Sequence, residues 1–207
     1  ALTAPTMEVF EAALHRFRDT PEFKVLLVRA TGRYFCSGAD LRSGTPELRT
    51  TGSAIREEHR RQTMGMHRIY DEMEAIEKPI VVAHQGPCVG GGLELSLSCD
   101  FRLAANSASY AFPEGKFGVL PASNGVSRLA RIIGTHWTRY IIMASLTVNA
   151  DRALIRELLH EVFPDESFED DVMGFCHHLA KQNGESMGLA KIAIELAHDV
   201  GLAQARN

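Results

Sequence analysis

The chain has 207 residues, 45% of them hydrophobic and 23% charged, a globular composition that argues against disorder. The net charge of −4 argues against a dedicated nucleic-acid binder, which carries a basic stripe. Apolar runs such as Ile80–Ala83 fall far short of the ~20 residues of a membrane-spanning helix.

Thr3 followed by Pro5 reads as a helix start, and Phe10, Leu14 and Phe17 continue at helical spacing to about Asp19. The opening Ala1-Leu2-Thr3-Ala4-Pro5 has the features of neither a signal peptide nor a basic leader. Lys24–Ala30 is expected to be a buried strand, followed by a Gly-bearing loop from Thr31 to Pro46. A helix is expected around Ser53–Glu77, with Met66, Ile69, Tyr70, Met73 and Ile76 on one face. Pro79 ends it, and Ile80–Ala83 is the next buried strand. Gly90-Gly91-Gly92 opens a short apolar helix, Leu93–Cys99, and Phe101–Ala105 and Ser109–Phe112 read as strands. Helices are expected over Asn124–Ile133, Thr135–Ala144, Asn149–Leu159, Ser167–Gln182 and Ser186–Gln204, with almost no strand signal in the last third. Strands alternating with helices predict an α/β fold with a largely parallel sheet and a C-terminal helical extension.

Two loops follow strands and carry small residues. Ser37-Gly38-Ala39 lets a ligand approach the backbone, or else forms a plain turn that Asp40 caps. Gly90-Gly91-Gly92 exposes free N–H groups suited to an oxyanion or phosphate, or else allows close helix–sheet packing. It lacks the Gly-Lys-Ser/Thr of a phosphate loop and the spacing of a dinucleotide fingerprint. Glu94 lies in the first turn of the apolar helix, where it is either a solvated dipole partner or a buried, partnered acid. Glu114 follows Pro113 at another strand end, as a turn carboxylate or as a second acid. Two carboxyls in unlike environments can divide acid and base roles.

Other patterns carry less. Gly184-Glu185-Ser186-Met187-Gly188 matches the serine-hydrolase elbow, but the stretch before it is helical, and Ser186 reads as a helix N-cap. His177 and His178 are neighbours and cannot share a helix face as a metal pair would, and the other histidines show no ligand spacing. No metal is expected. Cys36, Cys88, Cys99 and Cys176 lack a C-x-x-C and read as buried thiols in a reducing compartment.

Phe35-Cys36-Ser37-Gly38-Ala39-Asp40-Leu41 resembles the first signature of the crotonase superfamily, the enoyl-CoA hydratase/isomerase family. Gly86–Leu95 with Cys99-Asp100 resembles the second, and Phe112-Pro113-Glu114 with Gly118 and Pro121 the third. The order and spacing of the three agree, and Leu159–Val162 resembles the segment before the family's final helices. The resemblance implies a crotonase-like ββα spiral core, residues 1–145, and a C-terminal helical trimerisation region, residues 146–207, with the family's first strand pair absent ahead of the first helix. It implies an acyl-CoA thioester substrate, no cofactor apart from the CoA of the substrate, and a homotrimer or hexamer. It also implies the cytoplasm, or the mitochondrial matrix in a eukaryote.

By the same resemblance, the N–H groups of Ala39 and Gly91 form an oxyanion hole for the thioester carbonyl. Ser37, Ala39, Asp40, Leu41 and Gly91 contact the substrate, and Arg42 is placed to meet a CoA phosphate. Both acid positions hold Glu, as in hydratases, so Glu94 is expected to activate water and Glu114 to deliver a proton to C2 of a trans-2-enoyl-CoA. An enoyl-CoA isomerase or another enolate chemistry is the alternative, and a silent acyl-CoA binder a second. The chain departs from the family at Pro121-Ala122-Ser123-Asn124-Gly125, where a Gly-rich turn is usual, and at Gly115-Lys116, where an apolar pair is usual. Ala122 adds a methyl near the acids.

Overall fold

A computed structural model describes residues 1–40 and 66–200. Helix α1, Ala4–Asp19, is capped by Thr3, whose side chain accepts from Thr6 N, with Pro5 in the first turn. It buries Met7, Leu14 and Phe17. Strand β1, Leu26–Val28, is followed by α2, helical over 66–75. Next come β2 (Ile80–His84), β3 (Cys88–Val89), α3 (Gly91–Leu97), β4 (Phe101–Ala105) and β5 (Ser109–Ala111). A 3₁₀ turn, Glu114–Phe117, leads to α4 (Gly125–Thr138), which runs on into a π-helical turn, Arg139–Met143. The chain closes with β6 (Val148–Asn149), α5 (Ala150–Ile155), β7 (Glu161–Phe163), α6 (Phe168–Ala180) and α7 (Gly184–Asp199).

Two sheets are interleaved along the chain. One is wholly parallel, in the order β1-β2-β4-β7. The other has the order β3-β5-β6, with β3 and β5 parallel and β6 antiparallel. Each of the units β2-β3-α3 and β4-β5-α4 sends its first strand to one sheet and its second to the other, the ββα spiral expected from the motifs. The unit before them does the same, because β1 joins the first sheet while Cys36 makes a parallel bridge to Cys88 of β3.

Strand β2 is buried along its whole length. Ile80 and Val82 face α1 and α2, while Val81 and Ala83 face Phe168, Val172 and Cys176 of α6. A parallel strand covered on both faces reads as a continuous apolar run, which is why its sequence shows no alternation.

Four expectations are corrected. The strand at Lys24–Ala30 shortens to Leu26–Val28 and is half-buried, because it is the edge of its sheet. The loop after it is partly paired, through Leu2↔Ala39 as well as Cys36↔Cys88. The last third contains two strands: β6 pairs with β5, and β7 with β4, and neither is long enough to show a period. Ser186 is not the N-cap of α7; Asn183 is, and its side chain accepts the Ser186 N–H at 2.9 Å. The break expected between Ile133 and Thr135 falls at Gly134, whose φ of 73° interrupts α4. The expected helix residues 53–65, and those beyond 200, lie outside the described residues.

Candidate active site

The register of the second sheet brings the three motifs together. Cys36 lies opposite Cys88, and Cys88 opposite Tyr110, all parallel. Parallel neighbours lie about 4.8 Å apart, so the loops that leave them emerge side by side. Ala39 and Gly91 each stand three residues beyond their paired cysteine. Gly90 N donates to Ala111 O at 3.0 Å, which places the third loop beside the second.

The two turns lie within van der Waals reach of one another. A Cβ on Gly91 would stand 3.6 Å from Ala39 N, and one on Gly38 would stand 3.7 Å from Gly91 N. Gly38 (φ 92°) and Gly90 (φ 56°) occupy the left-handed half of backbone space, where a side chain is strained. A Cβ on Gly90 would also come within 2.7 Å of Glu114 Oε1. The turns meet closely enough for two main-chain amides to face one space.

That space is a cavity of about 490 Å³. Its lining brings together Ser37, Ala39, Gly91, Glu94 and Glu114. Asp40 is not part of the lining; its N–H donates to Leu2 O at 3.0 Å. Leu41 and Arg42 lie outside the described residues. Met66, Phe117, Val119 and Leu120 supply apolar wall. A second cavity, about 420 Å³, lies where α4 and α7 meet the start of β4 and holds neither glutamate. Asp100 of the second motif faces that one, where Asp100 Oδ2 accepts from Ile80 N at 2.7 Å and Lys191 Nζ at 3.0 Å.

The two acids sit in different surroundings. Glu94 is 5% exposed. Its Oε1 accepts from Ser123 N at 2.7 Å and from Gly125 N at 3.3 Å. Burial pushes its carboxyl above the ordinary glutamate range, against the pull of those amides and of His67 and Arg128. Glu114 begins the 3₁₀ turn and is half-buried. Its Oε2 is buried without a hydrogen-bond partner among the described residues. Burial raises the Glu114 carboxyl, as does the charge of Glu94. A buried carboxyl oxygen with no donor favours the protonated acid or a bound donor.

The unusual turn 121–125 contributes main chain rather than side chain. Ala122 and Ser123 line the cavity, and the amides of Ser123 and Gly125 are the ones that hold Glu94. A side chain at Gly125 would force a neighbour to shift, since a Cβ would lie 2.7 Å from Glu94 Oε1 and 2.9 Å from Pro121 Cβ. Asn124 takes φ 60°, which asparagine tolerates better than most residues. Sequence reasoning marked Ser123 and Asn124 only as departures, and His67 had no spacing to set it apart from the other histidines. Among the described residues no group of three His, Cys, Asp or Glu is arranged to hold a metal ion.

The family model for enoyl-CoA hydratase/isomerase matches residues 1–207. The chain belongs to the enoyl-CoA hydratase/isomerase family. It is 35% identical over 192 residues to the enoyl-CoA isomerase/hydratase fer4 of Mycosarcoma maydis, covering 90% of this chain and 66% of that protein. It is 28% identical to the crotonyl-CoA hydratase of Syntrophomonas wolfei, covering 93% of this chain and 72% of the relative. Carnitinyl-CoA dehydratase of Salmonella enteritidis is 30% identical, over 94% of this chain and 70% of its own length. The crystal structure of an enoyl-CoA hydratase from Bacillus anthracis superposes with a TM-score of 0.89 at 28% identity, covering 99% of this chain and 77% of that one. The family therefore accounts for the spiral core and the convergence of the three loops. By name, these relatives are a hydratase, a dehydratase and an isomerase/hydratase.

Proposed function

We propose that the chain is an enoyl-CoA hydratase, adding water reversibly and syn across C2–C3 of a trans-2-enoyl-CoA. The observation that carries this reading is the pairing of Glu94 with Glu114 in one cavity, beside two adjoining glycine turns. The N–H groups of Ala39 and Gly91 donate to the thioester oxygen and stabilise the negative charge it gains in the enolate, a contribution of about 3 kcal/mol per donor. Glu94 accepts both turn amides on Oε1. Its other oxygen takes a proton from water as the water oxygen bonds to C3. Glu114 gives a proton to C2, and the double bond becomes single. Proton exchange with water restores both carboxyls. The chemistry uses no metal or separate cofactor, CoA being part of the substrate.

Ser37 and the main chain of Ala39, which line the cavity, contact the CoA part in this reading. The apolar wall of Met66, Phe117, Val119 and Leu120 suits an acyl chain. The reading extends to a homotrimer or hexamer built through the C-terminal helices, supported by the exposed Leu189, Ile194 and Leu196 of α7.

A second reading, enoyl-CoA isomerase, is supported by fer4, the relative at 35% identity whose name pairs the two reactions. The same acids would then move a proton between C2 and C4 without adding water. Parallel assays of crotonyl-CoA hydration and 3-enoyl-CoA isomerisation separate the readings. Hydration as the faster reaction supports the first, and isomerisation without hydration overturns it. Binding of acyl-CoA with neither turnover would mark a silent binder.

A further inference from the structure

His67 and Glu94 grip opposite ends of one peptide group. His67 Nε2 lies 2.6 Å from Ala122 O, and Ser123 N lies 2.7 Å from Glu94 Oε1. The Ala122 carbonyl and the Ser123 N–H belong to the same planar unit, so neither end can swing without the other. A carbonyl only accepts, so the His67 ring nitrogen facing it carries the proton. A donor at the carbonyl also polarises the peptide and strengthens its N–H as a donor to the carboxylate.

The grip on this turn is built from one stripe of α2. His67, Asp71 and Glu74 are spaced i, i+4, i+7 and share a helical face. Asp71 and Glu74 hold Arg128 at 2.7 Å and 2.5 Å, and Arg128 Nη1 donates to Ser123 O at 2.8 Å. Arg128 thus fixes the next peptide along, and His67 alone among the described side chains bonds to Ala122 O.

We infer that His67 is a positioning residue for the reaction, fixing the Ala122–Ser123 peptide and through it the Glu94 carboxyl. The inference rests on the hydratase reading for its effect on rate. It does not require His67 to touch substrate.

The test compares His67→Met, which fills similar space without a donor, with His67→Gln, whose side-chain amide can donate to the same carbonyl. Crotonyl-CoA is the substrate, and amide hydrogen exchange at Ser123 is read in parallel. His67→Met should lower kcat about tenfold with KM nearly unchanged and speed Ser123 exchange. His67→Gln should restore both. Wild-type kcat in His67→Met, or no rescue by Gln, overturns the inference. If the wild-type protein hydrates no enoyl-CoA, the hydratase reading falls. The exchange rates then decide the His67 role by themselves: unchanged Ser123 exchange in His67→Met overturns it, and faster exchange restored by Gln upholds it.

Discussion

Cys36, in the loop after β1, and Cys88 of β3 face one another as a parallel bridge between segments far apart in sequence. Neither thiol does chemistry in this arrangement; both are buried and free. Their pairing sets the register of the loops beyond them. Three residues beyond each cysteine, in the loops that follow the bridge, stand Ala39 and Gly91, the proposed oxyanion donors. A slip of one residue would turn every side chain of the strand to the other face and separate the amides.

The acids come first among the tests. Glu94→Gln and Glu114→Gln should each keep acyl-CoA affinity within a few-fold and lower hydration about 10²–10⁴-fold. Isothermal titration with a non-reactive acyl-CoA and steady-state hydration assays give the two numbers. Retained turnover in both variants would defeat the assignment.

The turn that holds Glu94 has no room for a methyl at Gly125. Gly125→Ala would place Cβ 2.7 Å from Glu94 Oε1 and 2.8 Å from its Cγ. Overpacking of this kind costs about 1–3 kcal/mol. Hydration should fall more than tenfold, because relieving the clash moves the reacting carboxyl. Urea unfolding and kcat, measured together, check both parts.

Lys191 of α7 reaches the turn before β4 and the α2 main chain by donating to Asp100 Oδ2 at 3.0 Å and to Met73 O at 2.8 Å. Both side chains are largely buried. Lys191→Met should cost about 2–4 kcal/mol, since it leaves the Asp100 carboxylate with the Ile80 N–H alone. Adding Asp100→Asn should recover part of the loss, and a double-mutant cycle in urea measures the coupling.

Acid should weaken the fold through buried histidine. His84 is fully buried, with Nδ1 3.0 Å from the Tyr110 hydroxyl, and burial pushes its pKa down from 6.5 to about 3. Between those values the unfolded chain binds the proton and the folded chain does not. This contribution to stability is therefore full above about pH 6.5 and is lost as pH falls towards 3. His160, lowered to about 4 by burial, acts in the same direction. The His84 ring proton should show no titration from pH 8 to pH 5 by NMR, while urea midpoints fall across the same range. A His84 titration midpoint near 6.5 would contradict the packing.

Much of the fold was legible because its signals are local. The Thr3 cap with Pro5, the apolar run at Ile80–Ala83 and the break at Gly134 each act within a few residues, and each stands where expected. The three motif loops were ambiguous one by one and became legible through their resemblance to the family's signatures, whose order and spacing agree. Strands β6 and β7 were hidden, since two or three residues carry no period, and their partners β5 and β4 lie some forty to sixty residues earlier.

The sequence by itself determined the types of groups available, two glutamates and two glycine-bearing turns, and their order along the chain. Only the tertiary structure decided their neighbours. Nothing local announces that Cys36 lies against Cys88, or that the Ser123 amide ends on Glu94 while His67 holds the same peptide from behind. Those contacts join residues separated by 29 to 55 positions. They arise from sheet register and helix packing, which the whole chain sets at once.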